Sequence, residues 1–314
     1  MGIHPYVEQD REYLTALRRH FHSHPELSME EHNTARRIEE ELQKIGIPTR
    51  RVGGTGVLGV QKGGRGSGKK IVLRADTDAL PIQDSKGVPY ASCTPGVMHA
   101  CGHDAHTAAL IGAARALKRL ENDFAGEVDL VFQPGEEYGK GAVLFLQDGC
   151  LAGADRCFGI HVQSSLPVGQ VAMSPGPENA SVDHFTIRVT GKSAHVSTPE
   201  LGADALYAAA QIVVALQGIA TRMVSPTDPV IIGIGLLHSG EGYNIVAREA
   251  VIEGTVRAFS PQTRSFINGK IVEVAQSVAT LYGTTAQVDN ESFTCPLINS
   301  AQVYAEAAPM VEQV

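Results

Sequence analysis

The chain has little that would tie it to nucleic acid, a membrane or an oxidising compartment. Basic residues are outnumbered by acidic ones, 26 to 34, for a net charge of -8 over 314 residues. That balance provides neither a nucleic-acid footprint nor a polybasic anchor, so small molecules are the expected partners. The five cysteines, Cys93, Cys101, Cys150, Cys157 and Cys295, are odd in number and form no CxxC pair. Such usage is expected where thiols stay reduced, which points to the cytoplasm. The N-terminal stretch MGIHPYVEQDREYL has no apolar signal core, and the longest apolar runs, such as Val230 to Leu237 with its two glycines, are too short for a bilayer. No internal repeat or low-complexity tract is found.

What is present is an ordinary globular composition, 43% hydrophobic and 19% charged, in a chain long enough for two domains. Its most unusual stretch is Met98-His99-Ala100-Cys101-Gly102-His103-Asp104-Ala105-His106. In the turn before a helix, a thiolate and an imidazole two residues apart can converge on one point, a donor pair suited to zinc, manganese or a similar divalent ion. A reactive or buried cysteine beside helix-start histidines is the alternative.

Apolar periodicity predicts amphipathic helices over Glu8 to His22 and Met29 to Ile45, separated by a break at Pro25. The turn histidines His22 and His24 read as polar interhelical residues. Two short strands, Gly56 to Gln61 and Lys70 to Arg74, flank the glycine-rich Lys62 to Lys69, which reads as an exposed hairpin loop. That loop lacks the Lys-Ser/Thr ending and following helix of a phosphate loop. Asp76 and Asp78 stand where the second strand opens, as site carboxylates or as caps. A helix over Thr107 to Leu120 leads to a buried strand, Gly126 to Gln133, ending at Glu136-Glu137. Adjacent carboxylates point oppositely, so one could ligate a metal while the other faces water, although such pairs also occur as solvated surface. After a helix over Gly141 to Asp148, a strand over Arg156 to Ile160 delivers His161. This alternation predicts an α/β catalytic domain with a mostly parallel sheet and its site at the carboxyl edge.

From Ala180 the pattern becomes strand, helix, strand, strand, helix, strand: alternation at Phe185, Ile187 and Val189, then Ala203 to Arg222, Val230 to Leu237, Ala250 to Phe259, Ser265 to Leu281 and Thr284 to Asp289. It suggests an inserted ferredoxin-like α+β domain. The division expected is 1–179 catalytic, 180–290 inserted, and 291–314 the start of a returning catalytic segment.

HSHPEL, RADTDALP, MHACGHDAHTA, VFQPGEE, GIHV, GKSAHVSTPELGADAL and GTVRAF run in order from His22 to Phe259. Together they resemble the signature blocks of the aminoacylase, hippurate hydrolase and auxin-conjugate hydrolase family of metal-dependent amidohydrolases. The resemblance implies a catalytic domain holding two divalent ions (Mn, Zn, Co or Ni) and an inserted lid that forms a homodimer. It implies Cys101 as the ligand shared between the ions, with His103, Glu137 and His161 as further ligands. Glu136 would be the general base toward a metal-activated water, and Asp76 a carboxylate orienting the ligands from behind, a role His106 could share. In the lid it implies His195 at the oxyanion of the tetrahedral intermediate, with Asn244 and Arg257 at the substrate carboxylate. The substrate expected is an N-acyl amino acid or similar conjugate.

Two departures stand out. No histidine follows His238, whereas the family pattern implies one more metal-binding histidine after the lid, so that ligand and much of the returning segment are expected to be missing. Asn244 is followed by Ile245 where relatives usually carry proline. Two other readings therefore stand beside the hydrolase: a truncated, impaired paralogue that binds metal or ligand or dimerises, and a cysteine hydrolase with Cys101 as nucleophile.

Overall fold

The computed structural model describes residues 5–312; the first four residues of the N-terminal reading, and Val314, lie outside them. The chain divides into two compact units, one of residues up to Ala172 together with those from Ala307, the other Met173–Glu306.

The first unit opens with α1 (Pro5–Gln9), α2 (Arg11–Ser23) and α3 (His32–Lys44). Ala35, Ile38 and Leu42 recur at helical spacing on α3 and are all buried. Strands β1 (Thr49–Val52), β2 (Gly56–Lys62) and β3 (Lys70–Asp76) precede α4 (His103–Arg119), β4 (Glu127–Gln133), α5 (Gly141–Asp148) and β5 (Arg156–Gly159). The sheet order is β1-β2-β4-β3-β5. Strand β3 runs parallel to both β4 and β5, while β1 and β2 form an antiparallel edge.

One expectation is corrected here. β2 and β3 do not form a hairpin, because β4 inserts between them and pairs with both. The Val128 to Phe132 run is apolar enough to be covered on both faces, which places it at the centre of a sheet. Leu130 and Phe132 pack with Leu17, Phe21, Ile38 and Ile111 from the helices on one face. Val131 packs with Phe145 of α5 on the other. The sequence reading also passed over β1, whose TRRV has one buried residue, Val52, and reads as polar surface.

The second unit contains β6 (Gly176–Asn179), β7 (Val182–Thr190), α6 (Ala205–Gly218), β8 (Val230–Ser239), β9 (Glu249–Ala258), α7 (Pro261–Leu281), β10 (Thr285–Thr294) and β11 (Leu297–Asn299), with α8 (Ala301–Val311) last. Its antiparallel sheet has the order β10-β7-β9-β8, the ferredoxin-like arrangement expected. Burial alternates strictly along β9, so Ala250, Ile252 and Val256 meet Ile212 and Leu216 of α6 and Ile267 and Ile271 of α7. Both helices start on capped turns: Asp204 accepts from the N–H groups of Leu206 and Tyr207, and Ser260 from that of Thr263.

α6 continues through a π-helical turn, Ile219–Met223. By length and composition Ala205–Met223 reaches what a membrane crossing requires, contrary to the expectation that no apolar run would. Its Ala208, Ile212, Leu216 and Ile219 are instead buried in the core of this unit.

Candidate metal centre

The carboxyl edge of the first sheet is where the chemistry gathers. β3 ends on Asp76, β4 leads into Pro134-Gly135-Glu136-Glu137, and β5 is followed by His161. Parallel strands discharge their next residues at one edge, so three loops distant in sequence meet there. Between β3 and β4 the chain enters α4 through Gly102, whose φ of +117° suits glycine. That turn sets Cys101 and His103 at the same edge.

His103 is the hub. Its side chain is 1% exposed, and its Nδ1 meets the Asp78 carbonyl at 2.9 Å and Asp78 Oδ1 at 3.2 Å. Its Nε2 points toward Asp76 Oδ2 at 3.6 Å, Glu137 Oε1 at 3.9 Å and Glu136 Oε2 at 4.0 Å, and hydrogen-bonds to none of them. Cys101 Sγ lies 3.3 Å from His161 Nε2. Potential donor atoms of Cys101, His103 and His161 all lie within 4.8 Å of one another, as do those of His103, Glu136 and Glu137. The four ligand candidates are thus brought together through His103.

Electrostatics fit a cation. Burial alone would push the His103 imidazole down, yet the Asp78 carboxylate, Cys101 Sγ and Asp76 outweigh it and raise the group to about 11. Burial likewise opposes charge on Asp76, but His106, Arg74 and His103 hold its carboxyl well below the usual range. Glu136 goes the other way, raised by burial and then by the neighbouring Asp76 and Glu137 charges. Buried His103 Nε2 and Glu137 Oε1 have no hydrogen-bond partner. Orphaned polar atoms cost about 1–3 kcal/mol each, and a set of sulfur, nitrogen and oxygen donors around them suits a divalent ion. The residues fit such a group.

The role of His106 follows from its two bonds. Its Nδ1 donates to Asp76 Oδ1 at 2.6 Å, and its Nε2 accepts the Val162 backbone N–H at 2.9 Å. Both nitrogens are engaged, so His106 orients its neighbours and offers no lone pair to an ion. Sequence reasoning left Asp78 without a role. Asp78 fixes His103 from behind and also accepts from Ser28 Oγ at 2.6 Å and Glu137 N at 3.1 Å. A carboxylate two residues beyond a strand end gave no signal that distinguished it from a cap.

Of the three lid residues, two are neighbours and the third stands apart. His195 and Asn244 sit on neighbouring loop segments, joined by a bridge between His195 and Ile245 and by Val196 N to Asn244 O at 3.1 Å. His195 Nδ1 accepts the Ser197 N–H at 3.2 Å and contacts Ser197 Oγ at 2.6 Å, which leaves Nε2 as the proton-bearing, donating nitrogen. Arg257 stands near the far end of β9, its guanidinium on Thr255 Oγ1 and the Val256 carbonyl. Eight residues of strand, about 27 Å, separate it from Glu249 at the end nearer Asn244. Within this unit Arg257 is not brought to the other two.

A two-unit chain with a sulfur, nitrogen and carboxylate cluster at a sheet edge is a metallohydrolase of the α/β kind. The model of peptidase family M20/M25/M40 matches residues 72–312, and the chain belongs to that family. It is 40% identical over 291 residues to the N-acetyl-L-cysteine deacetylase of Bacillus subtilis, covering 92% of this chain and 70% of that protein. It is 36% identical over 295 residues to the N-acyl-L-amino acid amidohydrolase of Geobacillus stearothermophilus, covering 93% and 80%. Among solved structures it resembles a Bacillus subtilis dinuclear metal-binding peptidase of the M20 family with a TM-score of 0.86 and 34% identity, covering 98% of this chain and 80% of that one.

Proposed function

We propose that this protein hydrolyses the amide bond of N-acyl amino acids or similar small conjugates, using two divalent ions held by Cys101, His103, Glu137 and His161. The observation that carries this reading is the buried, unbonded His103 Nε2 aimed at Glu137 and Glu136. Ions bound there supply Lewis acidity and bring the pKa of water toward neutrality, to about 7 in favourable sites.

Every other task falls to the chain. Glu136, with 38% of its side chain exposed, takes the proton of the attacking water and passes it to the leaving amine. Its raised proton affinity suits a group that both accepts and returns a proton. Asp78 holds His103 through Nδ1, and Asp76, fastened by His106 and Arg74, faces its free Nε2. In the proposed homodimer His195 reaches the site of the other copy, where its Nε2–H meets the developing oxyanion, with Asn244 beside it at the substrate carboxylate. Arg257, remote from both within one lid, meets that carboxylate from the opposite copy. The names of the two relatives, a deacetylase of N-acetylcysteine and an amidohydrolase of N-acyl amino acids, support this substrate class.

We further propose a homodimer through the lid, with the cytoplasm as its compartment. Strand β8 is an outer edge of its sheet, and Ile231 (60%) and Val214 (68%) are large exposed apolar residues of that unit. All five cysteines are free, a usage that supports a reducing compartment. Sedimentation of purified protein at low and high concentration tests the dimer.

The test of function is a metal-supplemented screen of N-acyl amino acids with wild type and Glu136→Ala. Turnover that is lost on chelation and in the variant is expected, and retained activity in the variant rejects the mechanism. Cys101 Sγ and His161 Nε2 at 3.3 Å also have the spacing of a thiol–imidazole nucleophile. Turnover that survives chelation and is abolished by thiol alkylation would favour that reading instead.

A further inference from the structure

The segment Ser28-Met29-Glu30-Glu31 precedes α3 and lies in none of the signature blocks above, yet its contacts converge on the Pro134–Glu137 turn. Glu31 is fully buried. Its Oε1 accepts the N–H of Gly135 at 2.8 Å and that of Met29 at 2.9 Å, and its Oε2 accepts from Thr55 Oγ1 at 2.7 Å. A buried carboxyl group with three donors is a rigid anchor, since both its oxygens are fastened to separate segments of the chain.

The second contact is steric. Met29 is the one described non-glycine residue with positive φ, +68°, a conformation retained only where surroundings enforce it. Its side chain covers Gly135, where an added Cβ would lie 2.6 Å from Met29 Sδ. The third contact runs through Asp78, whose Oδ2 accepts both Ser28 Oγ at 2.6 Å and the Glu137 N–H at 3.1 Å. The N–H groups on either side of Glu136 are therefore both fastened, one by Glu31 directly and one by Asp78 with Ser28 behind it.

We propose that Glu31 is a positioning residue for hydrolysis: with Met29 it fixes the Pro134–Glu137 turn so that Glu136 and Glu137 both stay aimed at His103. The inference rests on the proposed hydrolase reading, but the bond it concerns is part of the fold and is testable without turnover. Helix-start acidic residues usually serve the helix dipole. Glu31 instead spends both oxygens on Gly135, Met29 and Thr55, and makes no side-chain cap bond to α3.

The experiment compares wild type, Glu31→Ala and Glu31→Gln. The Gln variant keeps one carbonyl oxygen for Gly135 and Met29. Glu31→Ala should lower kcat about tenfold to a hundredfold, the usual loss on removing an outer support, with KM within about threefold. Glu31→Gln should recover most of the rate. Wild-type kcat in Glu31→Ala, or equal loss in both variants, overturns the proposal. A second measurement follows amide exchange over residues 134–137 in metal-free protein. Faster exchange in Glu31→Ala is expected, and unchanged exchange overturns the proposal whatever the activity. If wild type shows no turnover, the hydrolase reading fails and the exchange result still decides this one. If Glu31→Ala is insoluble, Met29→Gly takes its place, because glycine accepts φ +68° without strain. Unchanged kcat and exchange in that variant also overturn the proposal.

Discussion

Asp76 Oδ1 receives the Nδ1–H of His106 at 2.6 Å, and the same ring accepts Val162 N–H at 2.9 Å. One imidazole thereby ties the end of β3 to the residue after His161, two strand ends that together flank the cluster. His106→Phe keeps the ring's bulk and removes both bonds, leaving a buried carboxylate oxygen and an amide unpaired at about 1–3 kcal/mol each. We expect a lower unfolding midpoint in urea. Affinity for added Zn or Mn should fall about tenfold to a hundredfold in calorimetric titration. Wild-type affinity would show that His161 needs no such tie.

The fold was legible where burial is two-sided or strictly alternating. The apolar run around Leu130 and the alternation around Ile187 identified their strands, because packing on a sheet demands those patterns. Strand β1 was illegible, since Arg50 and Arg51 satisfy themselves on Asp148 and Glu39 across the surface and leave no apolar signal. The β2–β3 hairpin was misread because a glycine-rich loop says nothing about which strand will intervene. In the site, Cys101 and His103 were visible as residue types in a short stretch. Asp78, His106 and Glu31 act through hydrogen bonds to atoms distant in sequence, which spacing along the chain does not encode.

Metal affinity should depend on pH in one direction. His103 in the metal-free protein is raised to about 11, so an ion that takes its Nε2 must displace a proton. Binding is therefore weaker at low pH and strengthens as pH rises from about 6 to 9, with a proton released for the ion that takes His103. Titration in buffers of different ionisation enthalpy measures that release. A pH-independent affinity with no proton release would contradict the assignment of His103 as a ligand.

Asp10 anchors the start of α2 to α4. It is 7% exposed and accepts from Arg115 Nε at 2.8 Å and Arg119 Nη2 at 3.0 Å. The Arg115 hydrogen bond leads the interactions that lower its pKa from 3.8 to about 2, against burial, which raises it. A depressed folded-state value stabilises above the unfolded pKa, so the contribution is complete above pH 4 and is lost as pH falls from 3.8 toward 2. Asp10→Asn should lower stability by on the order of 1–2 kcal/mol at pH 7. Denaturant melts of both proteins should converge near pH 2, and a gap that persists there would assign the loss to packing.

Gly141 and Gly218 offer a contrast in what a methyl group meets. At Gly141, the first residue of α5, a Cβ would fall 1.5 Å from the Pro134 carbonyl oxygen, whereas at Gly218 it would meet nothing within 4 Å. Backbone cannot step aside as a flexible side chain can, so Gly141→Ala must displace either the helix start or the turn that carries Glu136 and Glu137. Lys140 N already donates to Gly135 O at 3.2 Å, which ties the two ends of that loop and transmits the shift. We expect Gly141→Ala to lose at least about 2 kcal/mol of stability, as steric overlap in a packed site does, and to lose amidase activity more steeply than stability. Gly218→Ala, at the last turn of α6, should be neutral or stabilising by up to about 1 kcal/mol through reduced freedom of the unfolded chain. Equal melts and equal rates for the two variants would mean that the turn before α5 tolerates displacement, and that the positions of Glu136 and Glu137 are set elsewhere.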